Sequence, residues 1–245
     1  MGNSKYKSEK EFLAAYNIHD FEIPLVSVDM SIFSIIDEQL QVLLVKRAEY
    51  PHKGRWALPG GFVDFDKDKD LLDTARRKLT EKTGVETPYL EQLASFGGQD
   101  RDPRGWSVTI AYFALIAADE VTLRGGPESE DVAWAPMDSI AKKRGFAFDH
   151  KKILAASYER LRSKVTYTSL PVNLLPTEFT LGELQKTFEI ILGRPIEKKS
   201  FRRRILDVNI LQQTGRTKPS GTRPAMLYRV NRQGENYYFA RNFEG

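Results

Sequence analysis

The chain has 245 residues, 41% of them hydrophobic, and its 37 Lys and Arg against 33 Asp and Glu give a net charge of +4. This length and composition predict one large or two modest folded domains. The absence of cysteine excludes disulfides, thiolate zinc sites and a thiol nucleophile. No apolar signal segment follows Met1, and no run approaches the roughly 18 apolar residues that span a membrane. We therefore expect a cytoplasmic protein without a membrane partner.

The first two thirds of the chain alternate helices and strands in the manner of an α/β domain. The predicted elements are a helix at 8–16, strands at 26–33 and 41–47, a helix at 70–83, strands at 89–96, 106–117 and 132–135, and a helix at 150–164. The helix at 70–83 is amphipathic, with Ala75 and Leu79 on its inner face, and Gly84 ends it. This order predicts an α/β/α sandwich with a mixed sheet.

The last third of the chain forms a more basic unit. Residues 165–245 hold 13 Lys and Arg against 7 Asp and Glu, a charge of +6, which leaves −2 for the remainder. The segment Leu170–Pro176 is predicted to be a linker. The boundary is therefore placed between an effector-binding domain at 1–164 and a nucleic-acid-binding domain at 165–245.

The elements of the basic unit have clear local signals. Thr180 and Glu183 form a capping box at the start of a helix that stops at Gly193. A second, very basic helix, a Gly-, Pro-, Lys- and Arg-rich stretch and a strand are predicted at 198–208, 214–224 and 225–230. Two helices followed by a basic hairpin predict a C-terminal winged helix-turn-helix domain.

A glycine-rich turn and the helix that follows it carry a chemical motif. The turn is Leu58-Pro59-Gly60-Gly61-Phe62, and the helix contains Arg77-Lys78-Leu79-Thr80-Glu81-Lys82. The glycines, the arginine and the aliphatic positions resemble the Nudix hydrolase signature, whose carboxylates hold metal and activate water. Two of its helix carboxylates are replaced by Lys78 and Lys82, and its upstream glutamate falls on Lys67 or Lys69.

These lysines change the expected chemistry. Mg²⁺ prefers hard oxygen ligands, whereas lysine binds phosphate directly as a point charge. Because positions 78, 81 and 82 share a helix face, the site should attract a pyrophosphate and hold Mg²⁺ weakly, with no cofactor required and no catalytic residue. Two alternatives stay open: the lysines are ordinary exposed residues, or nearby aspartates restore metal binding. These aspartates are Asp64, Asp66, Asp68, Asp70 and Asp73.

Charged residues near the turn are candidates for binding a nucleotide effector. Arginine suits pairing with phosphate or stacking on adenine. The candidates are Lys46, Arg47, Gly61, Lys78, Glu81, Lys82, Arg101, Arg104 and Trp106. Trp106 either stacks on a base or lies in the core. His150, at a helix start, is predicted to be a structural cap.

The basic helix presents one charged face. On a helical wheel, Phe201 and Ile205 point to the core, whereas Lys199 and Arg203 lie opposite and suit base reading in a major groove. Phosphate contacts are expected from Lys198, Ser200, Arg202 and Arg204, and wing contacts from Arg216, Lys218, Thr222 and Arg223. A merely solvated basic face is the alternative.

The quoted turn and helix, with Arg104-Gly105-Trp106, Ser200-Phe201-Arg202-Arg203-Arg204 and Gly221-Thr222-Arg223, resemble the Nudix-related transcriptional regulators of NAD metabolism (NrtR). The resemblance spans nearly the whole chain. It implies a homodimeric repressor that senses ADP-ribose or a related nucleotide and binds a palindromic duplex operator near NAD metabolism genes. The competing hypotheses are an active ADP-ribose pyrophosphatase with an accessory basic domain and an RNA-binding or structural protein.

Overall fold

The computed structural model describes residues 6–86, 89–124, 129–221, 223–232, 234 and 236–240. The helices are α1 (Glu9–Ala15), α2 (Leu71–Thr83), α3 (Met137–Ile140), α4 (His150–Val165), α5 (Leu181–Leu192) and α6 (Lys198–Asp207). The strands are β1 (Leu25–Ile36), β2 (Gln39–Arg47), β3 (Trp56–Ala57), β4 (Gly60–Phe62), β5 (Tyr89–Gly98), β6 (Ser107–Leu115), β7 (Ser129–Pro136), β8 (Phe179–Thr180), β9 (Leu211–Lys218) and β10 (Ala225–Val230). In the described part of the chain, no helix is both long and apolar enough to cross a bilayer.

Seven strands form a mixed sheet in the first part of the chain. The main path runs β3-β2-β1-β6-β5, while β4 pairs with β1 and β7 with β2. The β1–β6 pair is parallel and the others are antiparallel. The predicted mixed sheet is confirmed, although the short strands β3 and β4 were not predicted.

Alternating residues of the central strands cover the two faces of this sheet. On one face, Met30 of β1 and Tyr112 of β6 pack with Leu79 of α2. On the other, Phe113 of β6 belongs to the cluster that contains Leu154 of α4. The helices therefore sandwich the sheet, as the α/β/α prediction requires.

The basic unit folds as a winged helix. Strands β8, β10 and β9 form its three-stranded sheet, in that order. Both hydrogen bonds of the capping box between Thr180 and Glu183 are present. The rings of Phe188 on α5 and Phe201 on α6 meet edge-on with centroids 5.3 Å apart. The predicted winged helix is confirmed, and the first part of the stretch at 214–224 belongs to strand β9 of its hairpin.

The prediction of a linker at Leu170–Pro176 is wrong, because most of this segment is helical and buried. Residues Leu170–Leu174 form a 3₁₀ helix, with Leu170, Val172 and Leu174 buried. These side chains belong to one apolar cluster that contains residues of the β1–β7 sheet, α4, α5 and α6. The two parts of the chain are thus joined by a continuous core.

Candidate functional site

A cavity of about 250 Å³ opens between the Gly60–Phe62 strand, the end of β2 and the loop that precedes β6. The turn that shapes it is held by a hydrogen bond from the Met30 amide to the Pro59 carbonyl, 2.8 Å. Gly60 lies against the backbone of β1, where a Cβ would stand 2.3 Å from the Val28 carbonyl oxygen. Glycine is required there because the strands approach closely.

Buried charges form the floor of the cavity. Asp29 receives a 3.0 Å hydrogen bond from Arg101, whose side chain is only 7% exposed. The Arg101 Nε also lies 3.2 Å from the Asp149 carboxylate, but out of line, so neither atom gains a hydrogen bond from the contact. The floor therefore carries fixed charges with unused hydrogen-bonding capacity.

His150 belongs to this floor and is not a simple helix cap. Its Nδ1 accepts a 2.9 Å hydrogen bond from the Leu58 amide, which ties α4 to the glycine-rich turn. Its Nε2 lies 3.6 Å from Asp29. Burial lowers the pKa of His150, so the ring is neutral at pH 7 and its proton resides on Nε2. The prediction of a helix cap is wrong, because Asp149 occupies the N-cap position and the His150 ring holds the turn instead.

Cations and aromatic rings form the rim. The Arg104 guanidinium lies 4.9 Å from the centre of the Phe62 ring and makes a bidentate pair with Asp102. Arg47 lies 5.0 Å from the centre of the Phe148 ring. A rim of guanidinium groups and ring faces suits a ligand that combines phosphates with an aromatic base.

The signature helix α2 does not present its charges as one group. Lys78 passes over Gly61 and lies 3.2 Å from Glu81, which also pairs with Arg77. Although burial opposes it, the hydrogen bonds from Lys78 and Arg77 lower the pKa of Glu81. Lys82 alone of the two lysines lines the cavity. Positions 78 and 81 do not line the cavity with Lys82, and the prediction that the three act on one ligand stays a prediction.

Three of the neighbouring aspartates are engaged with protein groups. Asp68 accepts two hydrogen bonds from Arg77, Asp64 pairs with Lys67, and Asp70 caps α2. Within the described residues, no three His, Asp or Glu side chains are placed to hold a metal ion. The donor set of the signature region therefore does not fit Mg²⁺, which prefers carboxylates available for coordination.

The basic helix α6 presents a charged outer face. Phe201 and Ile205 are buried, as predicted. The residues Lys198, Lys199, Ser200, Arg202 and Arg203 are exposed, and Arg204 is half-buried. Glu197 caps the helix through the amides of Lys199 and Ser200. Lys199 and Arg203 therefore lie on the side away from the core and can enter a groove.

The wing is less free than the sequence suggested. Arg216 makes an ion pair with Glu178, and Lys218 lies 2.6 Å from Glu183. Arg223 is exposed, and Thr222 lies outside the described residues. Contacts of Arg216 and Lys218 with phosphates would have to replace these intramolecular pairs.

Comparison with known proteins identifies the two parts. The NUDIX domain family matches residues 27–156, and the NrtR DNA-binding winged helix domain family matches residues 171–230. The "ADPR responsive transcriptional repressor NtrR" of Acinetobacter baylyi is 48% identical over 241 residues, which cover 98% of this chain and 95% of that protein. The chain belongs to the NrtR family.

Solved NrtR structures extend the match to the fold. The Shewanella oneidensis NrtR complexed with a 27mer DNA is 42% identical, with a TM-score of 0.83, and the match covers 89% of this chain and 98% of that one. The NUDIX domain of the same NrtR complexed with ADP ribose is 42% identical, with a TM-score of 0.59 over 63% of this chain and 99% of that one. The predicted family and fold class are confirmed.

Five of the nine effector candidates line the cavity of this NrtR protein: Arg47, Gly61, Lys82, Arg101 and Arg104. The other four do not line it. Lys46 pairs with Glu130, Lys78 and Glu81 pair with each other, and Trp106 is 53% exposed, next to Gly97 and away from the core. Pairing and strand geometry turn these side chains away from the cavity. The effector roles of the five stay predictions.

Several lining residues were missed in the sequence. Asp29, Tyr50, Phe148 and Ser129 lie around the cavity. Asp29 had a signal, since a charged residue inside the apolar strand β1 is seldom buried without a purpose. Tyr50 had none, because its place at the mouth, with 84% of its surface exposed, follows from the path of a loop.

The close approach at Gly60 makes a local prediction. A Gly60→Ala variant should lose about 1–3 kcal/mol of unfolding free energy, because its Cβ meets rigid strand backbone. Urea unfolding of both proteins checks this value. Gly54→Ala is the contrasting control. A Cβ at Gly54 meets no atom within 4 Å, so any loss of stability there comes from the strain of alanine at a φ of +74° and not from a steric clash. Equal m-values and an unchanged midpoint for Gly60→Ala would contradict the expectation.

Proposed function

We propose that the protein is a cytoplasmic, homodimeric transcriptional repressor that binds a palindromic duplex operator and senses ADP-ribose or a related NAD-derived nucleotide. The regulated genes are those of NAD metabolism. The A. baylyi relative is named an ADPR responsive repressor, and the Shewanella NrtR structures contain DNA in one case and ADP ribose in the other. A dimer suits a palindrome because its two winged helices meet equivalent half-sites. The division at 164/165 stays part of this proposal.

The observation that carries the proposal is the shared core between the cavity and the winged helix. Helix α4 begins at the cavity with His150, and its far end packs against α5. Arg162 on α4 donates to the Leu192 carbonyl at the end of α5, 3.3 Å. A ligand that moves the turn or α4 therefore acts on a rigid element that touches the DNA-binding domain.

Binding of selected duplexes in the presence and absence of ADP-ribose tests the function. Sequences are first selected by the full-length protein from a randomised duplex library, and their affinity is then measured by fluorescence anisotropy. We expect a palindromic consensus and a change of about tenfold in affinity on adding ADP-ribose, because the coupling equals the differential affinity of the two forms.

Three outcomes would contradict the proposal. Failure to select a consensus sequence would contradict specific operator binding. Equal affinity for the duplex with and without ADP-ribose would contradict the role of ADP-ribose as the effector. Conversion of ADP-ribose to AMP and ribose 5-phosphate, followed by ³¹P NMR with Mg²⁺ present, would favour the active pyrophosphatase. Single-stranded RNA of the same sequence is the control for an RNA-binding protein.

A further inference from the structure

Lys82 occupies a particular place in the cavity. It is 7% exposed, lines the cavity from α2, and donates a 2.9 Å hydrogen bond to the hydroxyl of Ser129. Ser129 lies opposite Arg47 in the antiparallel register of β2 and β7, and Arg47 lines the same cavity. Lys82 thus contacts Ser129 directly, and the Arg47 side chain, whose Nε donates to the Pro51 carbonyl, contributes a second positive charge to the same cavity.

Lys82 occupies a position that holds a glutamate in the Nudix motif. In the Nudix pattern the residue two before the final glycine is a glutamate, and here it is Lys82 before Gly84. The helix thus places an ammonium group where a metal-binding carboxylate would lie. A positive charge in a partly desolvated cavity attracts phosphate oxygens and repels a divalent cation.

The other charges of the signature helix do not offset this change. Glu81 remains engaged by Lys78 and Arg77, and Asp68 by Arg77. Within the described signature region, no three acidic side chains are grouped so that they could bring a metal to the ligand. The positive charge that a metal supplies in a hydrolase must come from the protein's own side chains.

We propose that Lys82, together with Arg47 of the same cavity, binds the pyrophosphate of the effector in place of a divalent metal, so that effector binding is independent of metal. The inference rests on the proposed function, since it assumes that the cavity takes a nucleoside diphosphate ester. The class of ligand that this site takes is a pyrophosphate diester such as ADP-ribose. The two lysines then have different roles, since Lys82 binds the ligand and Lys78 pairs with Glu81.

Calorimetric titration of the full-length protein with ADP-ribose tests the metal dependence directly. Titrations are run in EDTA and in excess Mg²⁺. We expect the two dissociation constants to agree within about twofold, because a resident ammonium does not need a metal partner. A dissociation constant that rises tenfold or more in EDTA would overturn the inference and leave the proposed function intact. Absence of binding in both buffers would overturn both.

Variants of Lys82 test the residue. Lys82→Met keeps the length of the side chain without its charge and should weaken ADP-ribose binding in EDTA by about tenfold or more, since it removes a charge-assisted hydrogen bond. Lys82→Glu restores the Nudix carboxylate and should make binding depend on Mg²⁺. Arg76→Ala is the matched control, because it removes a positive charge from the exposed side of the same helix.

The folded state of each variant is verified by thermal unfolding before the titrations. Equal affinities of wild type and Lys82→Met would overturn the role of Lys82. Binding of Mn²⁺ by the wild type alone, followed by electron paramagnetic resonance, is expected to be weak. Tight Mn²⁺ binding without ligand would also overturn the inference.

Discussion

Replacing Arg203 by alanine is expected to lower the affinity for the selected operator by about 10- to 100-fold while changing the affinity for random duplex much less. Arg203 is exposed on α6, opposite the buried Phe201 and Ile205. A bidentate arginine contact to guanine discriminates by about 1–3 kcal/mol. Fluorescence anisotropy with operator and scrambled duplexes measures both affinities.

Arg202→Ala is the matched control for this prediction. Arg202 is also exposed, but it flanks the buried stripe and is expected to contact phosphate. Its removal should weaken operator and scrambled duplex alike and reduce the salt slope by about one unit. If Arg203→Ala gave this pattern instead, Arg203 would be a phosphate contact and the assignment of the reading face would be wrong.

The local signals in the sequence predicted most of the winged helix. The capping box of Thr180 and Glu183 and the wheel of α6 depend only on neighbouring residues, so they could be read without tertiary information. The three-stranded sheet was only partly predicted. β9 carries few apolar residues and is stabilised by pairing with β10, which local propensity does not reveal.

The residues that line the cavity could be predicted only in part from the sequence. Helix geometry places Lys78 and Lys82 on one side of α2, but it does not show that Gly61 on β4 lies against Lys78. Lys78 lies against Gly61 and pairs with Glu81, whereas Lys82 lines the cavity. The pairing of β4 with β1 is a long-range contact, which the sequence pattern does not specify.

The predicted linker illustrates a different limit. Pro171 lies within the segment Leu170–Leu175 and Pro176 follows it directly, and prolines usually punctuate elements. Leu170, Val172 and Leu174 nevertheless bury their side chains in the core that joins both parts. The apolar content of the segment was the available signal, and it outweighs the prolines because leaving three large side chains exposed would be costly.

Replacing Arg77 by alanine is expected to destabilise the protein by about 3 kcal/mol, the lower end of the range for a broken buried ion pair. Arg77 donates two hydrogen bonds, of 2.7 and 2.6 Å, to Asp68, whose side chain is only 1% exposed. Without Arg77, the Asp68 carboxylate keeps only two hydrogen-bond donors, the Asp64 amide and the Thr74 hydroxyl. The midpoint of thermal unfolding should fall by about 10 °C.

The pH dependence of this loss identifies its cause. The hydrogen bonds from Arg77 hold the pKa of Asp68 well below its usual range. The pair therefore stabilises the folded protein above the unfolded pKa of about 3.9, and this contribution is lost as the pH falls further. Urea unfolding at pH 7 and near pH 3 should show a smaller difference between wild type and Arg77→Ala at the acidic pH.

Two controls separate the ion pair from a general effect of mutating α2. Arg76→Ala removes an exposed positive charge next to it and should change stability by less than about 0.5 kcal/mol. Arg77→Lys keeps the charge but loses the two-pronged geometry, so its stability should lie between those of the wild type and the alanine variant. An Arg77→Ala loss that stays constant down to pH 3 would show that packing, and not the pairing with Asp68, makes Arg77 necessary.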